Sequence, residues 1–425
     1  MNAVQVEQKA YEMPPREGIS IAYFLTVADI ERARAQIKDA IYVSPCAYSE
    51  TFSNLLGNKV YFKLENLQMT GSFKERGALN RILALTDDEK RRGVIAASAG
   101  NHAQGVAYHA TRRGVRAVIV MPVATPLIKI ARTREYGAEV VLHGASYDEA
   151  FEEAWRRREA EGLTLIHAFD DDLVMAGQGT IGLELIEQNP YLDAVVVPIG
   201  GGGLISGIAV ALKETNPRIR VIGVQSARLP SMKRALENQA PIALPAAGTI
   251  ADGIAVRKAG ARTLPVVARY VDDIVTVEEE EIAAAILALL EREKTVAEGA
   301  GAAALAALVS GRTGLVGKKV AVLVCGGNID VNLLARIIER GLVKGGRLVR
   351  FRVRIADHPG ALHRLTGLFA AARANILEVN HNRAFSRVDL GETAVDITIE
   401  TRGPDHIDEL VALLSDAGYE QERLS

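Results

Sequence analysis

The chain has 425 residues, 48% of them apolar, and its 50 basic and 52 acidic residues leave a formal charge of −2. Such a length supplies two or three buried cores, and the near balance of charge, interrupted only by the four glutamates at 278–281, argues against a nucleic-acid partner. Two cysteines, Cys46 and Cys325, each in an apolar setting, argue against a disulfide framework or a thiolate metal site and fit a reducing compartment.

Residues 1–20 carry glutamate and proline where a secretion signal needs an apolar core, so they are expected to be an N-terminal tail. No later run approaches membrane-spanning length, and the expected location is cytoplasmic. Beyond the tail, short apolar runs alternate with amphipathic stretches up to residue 343. VYFKL (60–64), VIAAS (94–98), AVIVM (117–121), EVVL (139–142), AVVVP (194–198), VIGVQ (221–225) and KVAVLV (319–324) read as buried parallel strands. HAQGVAYHATRRG (102–114) and EAFEEAWRRREAEG (149–162) have helical spacing, and an alanine-rich helix covers 299–309. The class is α/β, with helices on both faces of open sheets. After a glycine linker at 344–347, residues 348–425 read strand, helix, strand, strand, helix, strand. That βαββαβ order is the ferredoxin-like plan.

Four short motifs carry the chemistry. TGSFKERGA (70–78) sets Lys74 at the start of a helix; SAGNHAQG (98–105), GGGGL (200–204) and CGGN (325–328) each follow a predicted strand. Each alone has an ordinary account: a solvated helix lysine, a helix cap at Asn101, a floppy linker, a buried structural thiol at Cys325. A linker does not belong between a buried strand and its crossover helix, and bare glycine backbone at a helix N-terminus attracts an anion such as phosphate. No lysine–serine or lysine–threonine pair follows the glycines, and no acidic residue ends the next strand, which disfavours a P-loop and a dinucleotide fingerprint. A lysine and three glycine-rich turns at the carboxyl ends of parallel strands mark a ligand site of an open α/β sheet.

Together SFK, SAGNH, GGGGL and CGGN resemble the fold-type II pyridoxal-phosphate enzymes, and residues 348–425 resemble an ACT domain. From about Ile21 to the C-terminus the chain resembles the threonine dehydratase (threonine ammonia-lyase) family with one ACT domain. The resemblance implies pyridoxal 5'-phosphate as cofactor, bonded to Lys74 and flanked by Phe73. Asn101 would donate to its 3-oxygen, the backbone of Gly200, Gly201, Gly202, Gly203 and Leu204 would hold its phosphate, and Cys325 would face its pyridine nitrogen as a neutral thiol. Ser98, Ala99, Gly100, Asn101 and His102 would receive the substrate carboxylate. The reaction implied is β-elimination from threonine, and from serine, to 2-oxobutanoate or pyruvate and ammonia, with Lys74 taking the α-proton and the cofactor phosphate protonating the departing hydroxyl. Serine racemase has a second serine where Ala99 stands, so racemisation should be weak. Gln225 replaces a glutamate that helps some relatives bind a divalent cation, and no metal is expected.

A serine or threo-3-hydroxyaspartate dehydratase is the alternative enzyme; an amino-acid sensor with a decayed catalytic region is the alternative of another kind, weighed down by the intact Lys74. The loop DHPGAL (357–362) resembles the ACT loop that takes an amino-acid effector. Asp357, His358, Gly360, Ala361 and Leu362, with Asn375 and Ile376 of the next strand, would bind isoleucine or valine. Local pattern alone also allows a plain turn, with Asp357 as cap and Pro359 at the helix start. A homo-oligomer, dimer or tetramer, follows by resemblance.

Overall fold

Valine- and isoleucine-rich runs bounded by turn residues favour extended backbone once both faces are covered. In the computed structural model, which describes residues 25–382 and 389–424, they form three sheets. One has the order Cys46–Ser49, Lys59–Leu64, Lys319–Val324, Ala194–Pro198, Arg220–Ser226, Asp273–Val277, parallel throughout except for the first pair. A second, wholly parallel, has the order Glu139–Leu142, Ala117–Met121, Val94–Ala97, Thr164–Leu165. Every strand expected from the apolar runs is present, with ends displaced by no more than one residue. Ala117–Met121 and Ala194–Pro198 are buried at all positions, as strands covered on both faces must be. The expected tail, residues 1–20, lies outside the described residues, as do residues 21–24 and Arg383.

The helix Lys74–Leu83 packs on the helices Asn101–Thr111 and Asp172–Gln188. It carries a charge into the interior. Arg76 is 1% exposed and donates from Nε and Nη2 to Glu65, both at 2.8 Å, and from Nη1 to Glu184 at 2.6 Å and Thr180 at 3.0 Å. Lys63, fully buried, donates to the other oxygen of Glu184 at 2.5 Å and to the Ser44 carbonyl at 2.6 Å. Burial works against the charge on Glu65, but Arg76, Lys63 and the Ser44 hydroxyl overcome it and hold that carboxyl below its ordinary range.

The chain divides into two compact units between Ile329 and Asp330. The second opens with the helix Val331–Lys344 and continues as an antiparallel sheet in the order Asn375–Asn382, Glu392–Glu400, Leu348–Ala356, Gln421–Leu424, with helices Ala361–Ala371 and Pro404–Asp416. This is the ferredoxin-like arrangement. Along Leu348–Ala356 burial alternates: Val349, Phe351, Val353 and Ile355 join a core with Leu365, Phe369 and Leu410, while Arg352 faces out and pairs with Asp396. The helix after this strand begins at Ala361, two residues later than a start at Pro359 requires. Its cap position is held by Gly360 in the left-handed region (φ +87°), not by Asp357, because the Ala361 N–H first closes a turn on the His358 carbonyl. Among the described residues no helix is long and apolar enough to cross a membrane.

Removing Arg76 leaves Glu65 buried without the guanidinium that pairs it, while Glu184 keeps only Lys63. Arg76→Met should therefore lower stability by about 3–5 kcal/mol, whereas Arg116→Met, which breaks surface pairs with Glu139 and Glu161, should cost less than about 1 kcal/mol. Urea unfolding of the full chain measures both; equal losses would show that the interior cluster is not under this constraint.

Candidate active site

Lys74 reaches its place through a turn sewn to a second strand end. Ser72 pairs with Gly326 as an isolated bridge, the Phe73 N–H donates to the Cys325 carbonyl at 3.1 Å, and the Gly327 N–H donates to the Gly71 carbonyl at 2.9 Å. The side chain of Phe73 is buried, and Lys74 opens its helix half-buried, with Nζ 5.2 Å from the Phe73 ring centre and donating to the Ala168 carbonyl at 2.8 Å. Thus SFK and CGGN, about 250 residues apart in the chain, form one surface.

The glycine run ends the strand Ala194–Pro198 and starts the helix Gly203–Thr215. Gly202 takes φ +103°, and a Cβ on Gly201 would sit 2.3 Å from the ring of Phe169, so side chains at these positions have no room. The Gly201 carbonyl is turned away to accept from Thr263 Oγ1 at 2.6 Å and from the Gly260 N–H at 3.1 Å. Gly203 and Leu204 belong to the first helical turn, whose N–H groups lack carbonyls within the helix. A positive backbone end is thereby presented at the same edge of the sheet as Cys325.

SAGNH follows the strand Val94–Ala97. Ser98, Ala99, Gly100 and Asn101 are half-buried, and the Gly100 N–H donates to Ser98 Oγ at 3.2 Å. The expectation of Asn101 as a cap is corrected: Gly100 holds the cap position, Asn101 is the first helical residue, and its side chain lies between Glu298 and Asn328. His102 is buried with Nε2 at 2.8 Å from the Ile166 carbonyl. Burial, with Lys74 nearby, pushes its pKa down to about 3, so the ring is neutral.

Burial sets the other titrations as well. It pulls the Lys74 amine down from 10.5 to about 8, against the opposing pull of Cys325 and Glu298. It raises the Cys325 thiol well above 9.0, with Glu298 adding to the effect, and so keeps the sulfur protonated. Glu298 is 4% exposed, and burial together with Asp252 raises it to about 7, while Asn101, Lys129 and Lys74 act the other way. An amine near neutrality beside a neutral thiol can attack a carbonyl carbon and can accept a proton.

Four contributors escape sequence reading: the Ala168 carbonyl on Lys74, Phe169 against the glycine run, and the polar side chains of Glu298 and Asn328. Asn328 closes the quoted CGGN, so its motif is in view, whereas Glu298 sits at the head of an alanine-rich helix that reads as simple packing. Gln225 has a structural task. Its Oε1 accepts the Met232 and Lys233 N–H groups at 3.1 and 3.0 Å, so it caps the helix Ser231–Glu237. No group of three or more His, Cys, Asp or Glu suited to a metal occurs among the described residues. In the second unit, Asn375 donates to Glu400 at 2.8 Å, Ala361 is buried, and Leu362 and Ile376 pack on the core. The His358 ring lies 3.2 Å from Arg364, and the Asp357 N–H donates to the Gly391 carbonyl at 2.8 Å.

Residues 37–326 match the model of the pyridoxal-phosphate dependent enzyme family. The chain is 49% identical to the L-threonine ammonia-lyase of Thermotoga maritima over 93% of this chain and 98% of that protein. It is 46% identical to the L-threonine dehydratase catabolic TdcB of Escherichia coli K12 over 75% of this chain and 98% of that one. Among solved structures, a threonine deaminase from T.th. superposes with a TM-score of 0.69 at 42% identity, covering 72% of this chain and 99% of that one. Maize serine racemase superposes with 0.71 at 35% identity, covering 76% and 99%.

The lowered pKa of Lys74 predicts that its amine becomes reactive as pH rises through about 8, because below that value it is protonated. Reductive methylation of the ligand-free chain, read residue by residue by mass spectrometry, should give a midpoint near pH 8 at Lys74. A midpoint at the roughly 10.4 of an unperturbed lysine would remove the burial argument.

Proposed function

We propose, for a chain that belongs to the pyridoxal-phosphate dependent enzymes, that it deaminates L-threonine to 2-oxobutanoate and ammonia and performs the same elimination on L-serine to give pyruvate. The observation that carries this reading is Lys74. It is a half-buried amine at a helix head whose pKa is lowered to about 8, donating to the Ala168 carbonyl and near a protonated thiol, in a chain 49% identical to an L-threonine ammonia-lyase.

The residues fit the cofactor. Beside Lys74, Ser72 Oγ is buried without a hydrogen-bond partner, and the glycine run leaves backbone N–H groups bare where a Cβ would collide with Phe169, Met232 or Thr263. Pyridoxal phosphate, when bound, supplies an electron sink for bond cleavage at the substrate's α-carbon. Lys74 would hold its aldehyde end, and the backbone of Gly200, Gly201, Gly202, Gly203 and Leu204 its phosphate. Phe73 would lie beside the ring, Asn101 would donate to the 3-oxygen, and Cys325 would meet the ring nitrogen. An aspartate there would keep that nitrogen protonated; a neutral thiol would not, and a weaker sink suits prompt elimination over a long-lived carbanion. Ser98, Ala99, Gly100, Asn101 and His102 would bind the substrate carboxylate at the start of a helix, where N–H groups favour an anion. With the substrate amine in place of its own, Lys74 Nζ takes the α-proton. Loss of the β-hydroxyl as water, followed by hydrolysis, gives the 2-oxo acid and ammonia.

Residues 348–425 are read as an ACT regulatory domain, supported by the ferredoxin-like sheet. Its proposed effector, isoleucine or valine, would contact Asp357, His358, Gly360, Ala361, Leu362, Asn375 and Ile376. The enzyme is proposed to act in the cytoplasm as a homo-oligomer, dimer or tetramer.

Steady-state assays with threonine, serine and threo-3-hydroxyaspartate should give the highest kcat/KM for threonine, and Lys74→Ala should abolish ammonia release together with the visible band of lysine-bound cofactor. Turnover retained in that variant would refute the assignment. For regulation, calorimetric titration of the full chain should detect isoleucine or valine, with a coupling of roughly 1–3 kcal/mol shifting threonine affinity about 5- to 150-fold. Binding of neither removes the effector reading.

A further inference from the structure

Three side chains from three separate segments form one hydrogen-bonded row. Glu298 Oε1 accepts from Asn101 Nδ2 at 2.6 Å, Asn101 Oδ1 accepts from Asn328 Nδ2 at 2.8 Å, and Asn328 Nδ2 also donates to the Thr70 carbonyl at 2.7 Å. Close contact holds the row in place. The Glu298 N–H donates to the Gly326 carbonyl at 3.1 Å, and a Cβ on Gly326 would come within 2.4 Å of Glu298 Oε1 and 3.1 Å of Asn101 Nδ2.

The sense of both amides follows from the ends of the row. An amide can be turned over with no change of shape, so its orientation is set by what its two ends meet. The Thr70 carbonyl only accepts, and Arg132, donating to Asn328 Oδ1 at 3.2 Å, only donates; between them they fix Asn328. The second N–H of Asn328 then requires an oxygen from Asn101, which turns the Asn101 nitrogen toward Glu298. One N–H of Asn101 is engaged there and the other is not assigned to any partner in the row.

We propose that Glu298 and Asn328 are positioning residues, which set the Asn101 amide so that its remaining N–H meets the 3-oxygen of bound pyridoxal phosphate. This rests on the reading above that Asn101 serves that oxygen. Without Asn328 the amide loses the donor that selects its sense, and without Glu298 it loses the acceptor that draws its nitrogen inward.

The test compares the binding of pyridoxal phosphate with that of 3-deoxypyridoxal phosphate, which lacks the oxygen, to the full chain stripped of cofactor. The intrinsic chemistry of the two aldehydes is common to every variant, so a change in the ratio of their dissociation constants reports the protein. Asn101→Ala should reduce the native preference for pyridoxal phosphate roughly tenfold, the scale of one hydrogen bond to a charged acceptor. Glu298→Ala and Asn328→Ala should each reduce it about threefold or more, while Glu298→Gln, whose amide oxygen can still accept, should stay near native. If Asn101→Ala leaves the ratio unchanged, the assignment of Asn101 to the 3-oxygen fails and this proposal fails with it. If Asn101→Ala lowers the ratio but Glu298→Ala or Asn328→Ala weakens both aldehydes equally, the assignment stands and the proposal is overturned, because that residue merely supports its loop.

Discussion

Two cations and two anions, Lys63, Arg76, Glu65 and Glu184, are sealed from water where a strand, the turn after it and two helices meet, and the location of the reactive lysine depends on them. Charges so deeply buried are tolerable only while every one is paired and hydrogen-bonded. Arg76 lies two residues beyond Lys74 on one helix, a rise of about 3 Å. A guanidinium held by forks on both sides cannot slide along the helix axis without releasing a carboxylate, so the register of the fork becomes the register of Lys74 Nζ. The same ions reach the helix Asp172–Gln188 through Glu184. That helix begins just after the loop that supplies the Ala168 carbonyl and Phe169, so one cluster positions both the amine and the wall opposite it.

Around this anchor the site is bordered by the helices of the smaller parallel sheet. Lys129 pairs with Asp252 at 2.7 Å, Arg257 with Asp148 at 2.6 Å, and Arg132 reaches Asn328. These contacts join the smaller parallel sheet's helices to the loops of the larger sheet. They are partly exposed and individually weak, which suits a boundary that must admit substrate, whereas the Arg76 cluster is not available for adjustment.

The sequence made the scaffold legible wherever a single physical requirement acted locally. Seven apolar runs became seven strands, most of them buried on both faces, the edge strand Glu139–Leu142 being the exception, and the glycine turns stood out because bare backbone between strand and helix needs a reason. What stayed hidden was set by distant partners. Asn101 looks like a helix cap because asparagine before a helix often is one; its actual partners are 197 and 227 residues away. Asp357 and Pro359 differ in being misread for a local reason: they read as a helix start, and the turn closed on the His358 carbonyl moves that start to Ala361. Glu298 was invisible for a different reason: nothing in its neighbouring residues distinguishes a buried acid from a solvated one.

The helix Gly299–Val309, which Glu298 precedes, is built from glycine, alanine, leucine and one terminal valine, and all but the last position are buried. Alanine and glycine have no rotamers to surrender on burial, so this segment orders at almost no side-chain entropy cost and has almost none to regain by fraying. A helix of longer side chains in the same place could trade conformations and let its first turn drift. Here Leu305, Leu308 and Val309, the residues with rotamers of their own, all lie in the second half of the helix, so the turn that follows the acid has no side-chain freedom to exchange.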